Sequence, residues 1–300
     1  MNWTAAEMGD CTGSTVVVTG ANSGIGKEVT REFTRRGARV IAACRSLDRG
    51  ESAAAEIREE LPAASIAVSE LDLADLDSVR AFTEPIDDPI DVLCNNAGVM
   101  ATPRRETADG FELQFGVNHL GHFALTGLLL ENLQAAPSPR VVTQSSAIHE
   151  RGTIDFEDLH GEDSYDKWQA YAQSKLANVL FAYELDRRTD VDGIACHPGY
   201  ADTNLQFRGP EMAGSRLRLL GMKVANTLFG QPPEDGALPM LYAATSPEVG
   251  GGDYVGPSGL LNARGPPEKQ RSAEQTYDAD LAGRLWERSI ELTGVSYDGE

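Results

Sequence analysis

The sequence predicts a single α/β domain in which helices cover both faces of a doubly wound, mostly parallel sheet of about seven strands. Three observations support this fold class. Short β-branched or apolar runs alternate with longer helical patterns through the first two thirds of the chain. The runs are apolar at nearly every position, which is typical of strands buried on both faces. No repeat, low-complexity tract or linker divides the 300 residues, so we expect one domain although the length alone would allow two.

Six strands are predicted in order along the first two thirds of the chain. They are Thr15–Thr19, Arg39–Cys44, Ser65–Glu70, Ile90–Asn95, Arg140–Ser145 and Gly193–His197. Helical patterns fill the intervals, and Gly37 and Pro62 end the first two helices. These helices are Ile25–Arg36, Asp48–Leu61, a short segment from Asp75, Gly110 to about Ala135, and Trp168–Thr189. Right-handed crossovers between the strands would give the doubly wound arrangement.

The pattern loosens after His197. Residues 199–235 form an insertion punctuated by Gly and Pro, with a short amphipathic helix around Met212–Phe229. A helix near Asp235–Ala244, a short strand at Asp253–Val255 and a terminal helix at Ser272–Leu292 complete the fold. Within the single domain, 1–300, we therefore expect a cofactor and catalytic core at 14–198, a small substrate lid at 199–235 and a C-terminal completion at 236–300.

The charge balance argues against nucleic-acid binding. The chain has 26 basic and 46 acidic residues, so its net charge is −20. A surface this acidic repels phosphate backbones. One interpretation is a halophilic protein, whose self-repulsion is screened by molar salt. The alternative is an ordinary acidic protein.

Cysteine use and hydropathy predict a soluble protein in a reducing compartment. Cys11, Cys44, Cys94 and Cys196 are far apart and form no CxxC pair, so we expect free, mostly buried thiols and no structural zinc. The first ten residues lack the basic and apolar segments of a signal peptide. The longest uncharged stretch, Leu113–Leu130, is too polar for a membrane span. We therefore expect a cytoplasmic protein.

A glycine-rich turn, TGANSGIG, spans Thr19–Gly26 between the first strand and the first helix. Its glycines allow the backbone to approach a pyrophosphate, and the helix N-terminus offers N–H groups and a positive dipole end. The turn predicts a Rossmann domain that binds a dinucleotide, although its spacing is GxxxGxG and many strand-to-helix turns need glycine for shape alone. The residues expected at the dinucleotide are Gly20, Asn22, Ser23, Gly24, Ile25 and Gly26.

The end of the second strand indicates which dinucleotide binds. A carboxylate there would accept hydrogen bonds from the adenosine ribose, whereas this chain has Cys44, Arg45 and Ser46. A guanidinium can pair with a 2′-phosphate in a bidentate way. Arg45 therefore predicts a preference for NADP(H) over NAD(H). The alternative is an exposed arginine that contacts no ligand.

Tyr171 and Lys175 are four residues apart on the helix after the fifth strand, so their side chains share one helical face. A free phenol has a pKa of about 10 and is a poor base at neutral pH. A nearby ammonium would stabilise the phenolate and lower that pKa toward the range of proton transfer. The pair predicts an acid–base site.

Ser145 and Ser146 lie at the C-terminal end of the fifth strand, at the edge where open α/β sheets bind ligands. A hydroxyl there could hold a carbonyl or alkoxide oxygen. The alternative is a serine that only caps the strand end. The chain has no GxSxG elbow, which argues against a hydrolase.

Together these motifs resemble those of short-chain dehydrogenases/reductases. The glycine-rich turn, Asn95-Asn96-Ala97-Gly98, Ser146, the Tyr171/Lys175 pair and Pro198-Gly199 occur in the order and context seen in that family, over roughly residues 14–260. The segment NHLGHF at Asn118–Phe123 and the long interval between Ser146 and Tyr171 resemble the retinol-dehydrogenase-like branch. Residues 147–170 therefore contain an insertion relative to many members.

The resemblance implies a role for each matching residue. Tyr171 would be the general acid in reduction and the base in oxidation, Lys175 would lower its pKa and bind the nicotinamide ribose, and Ser146 would orient the carbonyl. Asn118 would support a water and Lys175 in a proton relay. The remaining cofactor contacts would be Asp72 and Leu73 near the adenine, Asn95, Ala97 and Gly98 on the adenosine side, and Pro198, Gly199 and Thr203 at the nicotinamide.

Other features have weaker interpretations. His119 and His122 could suggest a metal pair, but no third ligand accompanies them, and His149 and His197 are expected to pack or line the pocket. The lid is locally basic, with one acidic residue, Glu211, among Arg208, Arg216, Arg218 and Lys223. This charge predicts either attraction of an acidic or lipid-like substrate or salt bridges to the acidic body. Its apolar side consists of Met212, Leu217, Leu220, Val224 and Leu228.

The sequence thus predicts an NADP(H)-dependent oxidoreductase that acts on a small-molecule carbonyl or alcohol, with a hydrophobic substrate favoured by the apolar side of the lid. The alternatives are an NADP(H) sensor without turnover and a sugar-nucleotide epimerase. The intact Ser146, Tyr171 and Lys175 argue against the sensor, and the short C-terminal part argues against the epimerase. A homodimer or homotetramer is possible, because family members often pair through long helices.

Overall fold

The structure, a computed structural model, describes residues 3–199, 232–259 and 262–297. In this part of the chain eight strands form one sheet in the order β3-β2-β1-β4-β5-β6-β7-β8. Strands β1 to β8 are Thr15–Thr19, Arg39–Cys44, Ser65–Glu70, Val92–Asn95, Arg140–Gln144, Asp192–Cys196, Tyr254–Pro257 and Pro267–Gln270. All neighbours pair in parallel except β7 and β8, which are antiparallel. The doubly wound, mostly parallel α/β fold is confirmed.

Helices lie on both faces of the sheet. Helices α1 to α9 are Gly24–Arg35, Leu47–Glu60, Leu76–Thr83, Leu113–Phe115, Gly121–Leu128, Leu130–Gln134, Lys167–Arg188, Pro233–Thr245 and Ala279–Thr293. A π-helical turn, Gly116–Leu120, joins α4 to α5. Short 3-10 turns occur at Ala5–Glu7, Ala147–Arg151 and Glu274–Tyr277.

Two hydrophobic cores sandwich the sheet. On one face α1, α2 and α8 bury Val29, Phe33, Ile57 and Met240. On the other face α5, α7 and α9 bury side chains that include Phe123, Leu176, Leu180 and Trp286. The strands contribute to both cores because successive side chains point to opposite faces; Val17 enters one core and Val18 the other.

Three elements differ from the sequence prediction. The sheet has eight strands rather than about seven, because β8 adds an antiparallel edge through residues that do not look like a strand. The helix predicted from Gly110 begins at Leu113 and passes through the π-helical turn at Gly116–Leu120. The terminal helix predicted from Ser272 begins at Ala279, where the carboxylate of Asp278 accepts hydrogen bonds from Asp280 N and Leu281 N and caps it.

The topology places a crevice at the carboxyl ends of the strands. β1 lies between β2 and β4, and the order of the chain reverses direction between β1 and β4. Ligands bind in open α/β sheets at such a switch point. The predicted lid helix at Met212–Phe229, with the lid's charged and apolar residues, lies outside the described residues.

Candidate active site

The glycine-rich turn lies at the switch point and brings β1, α1 and the end of β4 into close contact. A Cβ on Gly26 would overlap the carbonyl oxygen of Gly20 and lie 2.6 Å from Nδ2 of Asn96. Gly20 and Gly24 have φ values of +68° and +54°, which favour glycine. Larger residues would therefore separate the turn from its neighbours.

The start of α1 fits the pyrophosphate of a dinucleotide. Its N-cap, Ser23, makes no capping side-chain hydrogen bond, and the first turn carries no acidic residue. Backbone N–H groups and the helix dipole are therefore directed toward the crevice with no carboxylate to compete for them. Asn22, Ser23 and Gly24 are half-buried, whereas Ile25 and Gly26 pack beneath them.

Asn96, which the sequence analysis did not single out, holds this turn together. Its Nδ2 donates to Thr19 O (2.7 Å), and its backbone N–H donates to Thr19 Oγ1 (2.9 Å). The N–H of Ala97 donates to the same hydroxyl (2.9 Å). The doubled asparagine was visible in the sequence, but it did not reveal which of the pair faces the turn. Asn95 is instead fully buried and donates to Thr126 Oγ1 (3.1 Å).

His122 completes the network around Thr19. Its Nδ1 lies 3.0 Å from the carbonyl oxygen of Asn118, so that nitrogen carries the proton. Its Nε2 lies 2.9 Å from Thr19 Oγ1 and accepts a hydrogen bond from that hydroxyl. Burial lowers the pKa of His122 to about 4, so this imidazole is neutral and joins the turn to the helical segment that carries Asn118.

The two histidines do not form a metal pair. Nε2 of His119 lies 2.9 Å from Ser289 Oγ, while His122 contacts Thr19. Burial lowers the pKa of His119 to about 3. In the described part of the chain no three His, Cys, Asp or Glu side chains are grouped as metal ligands.

Arg45 lies exposed at the carboxyl end of β2 and makes no ion pair with any described residue. The neighbouring Cys44 thiol is buried, and burial raises its pKa to about 11. Ser46 caps α2 by accepting from Arg49 N (3.5 Å). The guanidinium of Arg45 is therefore free to meet an anion.

Asp72 and Leu73 lie between β3 and α3. Asp72 Oδ1 accepts from Ala74 N, and Asp72 N donates to Ser78 Oγ, each at 3.0 Å. Leu73 is buried, and its carbonyl oxygen lies where a Cβ on Gly121 would need to be. The loop is thus fixed against α5. These hydrogen bonds use Oδ1 of Asp72 and do not use Oδ2.

Ser146, Tyr171 and Lys175 converge at the carboxyl end of β5. The Ser146 hydroxyl acts on the Tyr171 phenol in the direction of a lower pKa, and Nζ of Lys175 lies 5.8 Å from the centroid of the Tyr171 ring. Lys175 Nζ donates to Gln144 O (2.9 Å), and the backbone carbonyl of Lys175 accepts from Ser145 Oγ (2.7 Å). Tyr171 and Lys175 are buried, while Ser146 is half-buried.

Burial dominates the electrostatics of this group. It raises the pKa of Tyr171 to about 12, although the nearby Ser146 hydroxyl opposes the shift. It also lowers the pKa of Lys175 to about 8. The sequence predicts that Lys175 lowers the phenol pKa. The net direction is the opposite, because desolvation of the buried phenol outweighs the lowering effect of the Ser146 hydroxyl.

Asn118 lies in the π-helical turn, and its side chain is fully engaged by protein groups. Its Oδ1 accepts from Val99 N (2.7 Å), and its Nδ2 donates to Val99 O and Ser174 Oγ, both at 2.9 Å. A Cβ on Gly98 would lie 3.0 Å from that Oδ1 and 3.7 Å from Lys175 Nζ. Gly98, Asn118 and Lys175 are therefore adjacent, but Asn118 makes no direct hydrogen bond to the ammonium.

The Pro198–Gly199 turn follows β6 and is braced by His197. Gly199 N donates to Nδ1 of His197 (3.3 Å), and Nε2 of His197 donates to Gln270 Oε1 on β8 (3.2 Å). Burial lowers the pKa of His197 to about 4. His149 likewise packs, with Nδ1 donating to Ser146 O (2.8 Å). Thr203 lies outside the described residues.

Comparison with known proteins gives matches over most of the chain. The family model for short chain dehydrogenase matches residues 14–212. Retinol dehydrogenase 14 of Mus musculus is 42% identical over 94% of this chain and 86% of its own length. Retinol dehydrogenase 13 of Homo sapiens is 42% identical over 94% of this chain and 85% of its own length.

Two solved structures extend the comparison. A crystal structure of an uncharacterized protein from Mycobacterium paratuberculosis is 40% identical, with a TM-score of 0.82 and complete coverage of both chains. A structure described as an NAD(P)-dependent gluconate 5-dehydrogenase from Beutenbergia cavernae, with NADP bound at low occupancy, is 29% identical. Its TM-score is 0.57, covering 78% of this chain and 90% of that one.

Proposed function

The chain belongs to the short-chain dehydrogenase/reductase family, and we propose that it is an NADP(H)-dependent enzyme that interconverts a hydrophobic carbonyl compound and its alcohol. The observation that carries the proposal is the convergence of Ser146, Tyr171 and Lys175 at the end of β5, on the same edge of the sheet as the glycine-rich turn after β1 and separated from it by β4. A protein that only binds the nucleotide would need the turn but not this group.

Each residue has a distinct part in the proposed reaction. A nicotinamide bound in the crevice supplies or accepts the hydride. Ser146 donates a hydrogen bond to the substrate oxygen, and Tyr171 gives that oxygen its proton in reduction. The raised pKa of Tyr171, about 12, keeps the phenol protonated at neutral pH, as a proton donor needs to be. The Lys175 ammonium has three donors and commits one to Gln144 O, so two can bind ribose hydroxyls.

The preference for NADP(H) rests on Arg45. It is an exposed arginine at the end of β2 and has no ion-pair partner among the described residues of a chain with net charge −20. A 2′-phosphate at this place would give it a bidentate acceptor.

An apolar substrate is favoured by the side chains around Tyr171. The Trp168 indole is 47% exposed and meets the Tyr171 ring edge-on, with centroids 6.5 Å apart. Exposed aromatic surface beside a reacting group is suited to a hydrophobic ligand. The names of the retinol dehydrogenase relatives point the same way, and we propose an aliphatic or isoprenoid aldehyde as the substrate class.

We also propose a cytoplasmic, salt-adapted protein that assembles as a homodimer or homotetramer. The first two proposals rest on the acidic composition and the free cysteines. Among the described residues no helix is long and apolar enough to cross a membrane.

The direct test is NADPH oxidation with a panel of aliphatic, aromatic and isoprenoid aldehydes and ketones, run in molar KCl. Tyr171→Phe is the matched variant, because it removes only the phenolic oxygen. We expect turnover in the wild type, loss of turnover in Tyr171→Phe, and unchanged NADPH affinity. Tight NADPH binding with no turnover on any substrate would favour the nucleotide sensor instead.

A further inference from the structure

Two buried amides, Gln114 and Asn118, lie four residues apart on the helical segment that faces α7. Asn118 holds Val99 through both of its amide atoms. Gln114 Oε1 accepts from the N–H of Ala101, two residues further along the same loop, at 2.7 Å. Both amides are fully buried. Side chains on one helical face therefore hold the loop after β4 by hydrogen bonds at Val99 and at Ala101.

The same two amides reach α7 on either side of Tyr171. Asn118 Nδ2 donates to Ser174 Oγ, which in turn donates to the carbonyl oxygen of Tyr171 (2.8 Å). Gln114 Nε2 donates to the carbonyl oxygen of Lys167 (3.0 Å). In an α-helix that carbonyl accepts the N–H four residues later, which here is the N–H of Tyr171. Hydrogen bonds thus connect Asn118 to the carbonyl group of Tyr171 and Gln114 to its N–H group, each through one intervening residue.

Ala101 shows that the loop does not adopt this shape by default. Its φ is +49°, in the left-handed region that a non-glycine residue rarely occupies, and such a conformation persists only where surrounding contacts hold it. The hydrogen bond from the Ala101 N–H to Gln114 Oε1 is one such contact. Because Gly98 in the same loop lies beside Lys175 and Asn118, a shift at Ala101 would be passed toward the reacting group.

We propose that Gln114 is a positioning residue for Tyr171, acting through Lys167 O and through the loop at Ala101. The proposal rests on the proposed function, in which Tyr171 transfers the proton. Gln114 has no contact with the reacting atoms. Its effect would be on the placement of the phenol against the substrate oxygen, where a small displacement has a large effect on rate.

Tyr165 provides a matched control. Gln114 Nε2 also donates to Tyr165 OH (2.8 Å), and that hydroxyl reaches Thr102 O and Glu112 Oε1, both at 3.0 Å. Tyr165→Phe removes a hydrogen-bond partner of Gln114 in the same buried region. It leaves the bonds of Gln114 to Lys167 O and Ala101 N in place. The change in kcat of Tyr165→Phe therefore measures the effect of losing a neighbouring hydrogen bond while the two positioning bonds of Gln114 remain.

The experiment compares Gln114→Met, which keeps the side-chain volume and removes all three hydrogen bonds, with Tyr165→Phe. We expect kcat for carbonyl reduction to fall about tenfold in Gln114→Met and less than about twofold in Tyr165→Phe. We expect the NADPH Kd to stay unchanged in both. The solvent deuterium isotope effect on kcat should rise only in Gln114→Met, since proton transfer becomes slower there. An unchanged kcat, or equal losses in the two variants, would overturn the proposal.

A second measurement decides the proposal even if the wild type turns over no substrate, an outcome that would contradict the proposed function. In protein labelled with 13C at the tyrosine Cζ, Tyr171→Phe identifies the Tyr171 resonance. We expect Gln114→Met to shift that resonance clearly and Tyr165→Phe to leave it near its wild-type position. A resonance that Gln114→Met leaves in place would show that Gln114 does not position the phenol.

Discussion

Tyr171 and Lys175 illustrate what a sequence can and cannot reveal about a single residue. Their four-residue spacing predicts that they share a helical face, and α7 places them so. The spacing contains no information on burial or on the partner of the ammonium. Burial raises the pKa of Tyr171 to about 12 and lowers that of Lys175 to about 8. The group that changes charge near neutral pH is therefore the lysine.

This assignment predicts the pH dependence of reduction. Lys175 is protonated below pH 8 and loses its charge as the pH rises above that value, whereas Tyr171 keeps its proton throughout this range. We expect kcat/KM for NADPH, which reports the free enzyme, to be flat at neutral pH and to fall by up to about tenfold per unit above pH 8. In Lys175→Arg the guanidinium stays charged, so the decline should move to higher pH in the activity that remains. The same decline in both proteins would assign it to another group.

Arg45 is the residue on which cofactor choice depends. We expect Arg45→Glu to raise the Kd for NADPH by about 10- to 100-fold, because a charge-assisted pair contributes roughly 1.5–3 kcal/mol. The Kd for NADH should stay unchanged or fall, because a carboxylate at this position can accept hydrogen bonds from the adenosine ribose. Isothermal titration of both nucleotides checks this. Arg105→Glu is the control, since Arg105 is also exposed and the charge change is the same. Equal losses of affinity for NADPH and NADH would show that Arg45 does not recognise the 2′-phosphate.

At the scale of elements, periodicity and stop signals located most of the fold. The first six strands lie within two residues of their predicted bounds. β8 was missed because Pro267-Glu-Lys-Gln has neither alternation nor apolar residues and exists as a strand only by pairing with β7. The π-helical turn was missed because Gly116, its first residue, and Gly121, which follows it, weaken a helix in any sequence without specifying its geometry.

β8 has a role beyond closing the edge of the sheet. Gln270 Oε1 accepts from Nε2 of His197, and Nδ1 of His197 accepts from Gly199 N in the turn proposed to meet the nicotinamide. The Gln270 amide is itself fixed, because its Nε2 donates to Pro257 O on β7 (2.8 Å). The unpredicted strand thus supports a predicted part of the site.

Two variants separate the two hydrogen bonds of His197. His197→Gln keeps a donor near the Nε2 position and loses the acceptor for Gly199, whereas His197→Asn keeps an acceptor near the Nδ1 position. We expect His197→Gln to raise the Kd for NADPH by about fivefold, the effect of one hydrogen bond, and His197→Asn to stay closer to the wild type. Adenosine 2′,5′-bisphosphate, which lacks the nicotinamide, should bind both variants like the wild type. A matching loss for that half-ligand would mean that His197 supports the fold rather than the nicotinamide turn.

For the whole molecule the main feature is a net charge of −20 on a chain with two large apolar cores. Part of that charge is neutralised locally, as where Glu184 accepts from both Arg187 and Arg188. The remaining carboxylates repel one another, and this repulsion favours the unfolded chain at low ionic strength. The composition predicts that the chain buries an apolar core. It does not predict where the charged side chains lie around that core.

Screening of that repulsion predicts a salt-dependent stability. Because the Debye length falls to about 3 Å in 1 M salt, we expect the melting temperature to rise by about 5 °C or more between low salt and molar KCl. Calorimetry in a KCl series measures this, and sucrose is the control for preferential exclusion, which acts without screening. A melting temperature that is independent of KCl, or that rises equally in sucrose, would contradict salt adaptation.

In the proposed reaction this chain transfers hydride from the nicotinamide to a carbonyl carbon while Tyr171 protonates the oxygen. The most direct measurement is a single-turnover reaction with NADPH deuterated at C4 of the nicotinamide and the best aldehyde of the panel, analysed by mass spectrometry of the alcohol. We expect one deuterium in the product of the wild type and no deuterated alcohol with Tyr171→Phe, although that variant still binds the nucleotide. Equal deuterium transfer by Tyr171→Phe would contradict the role of the phenol, and no transfer by the wild type with any substrate would contradict the assignment as a dehydrogenase.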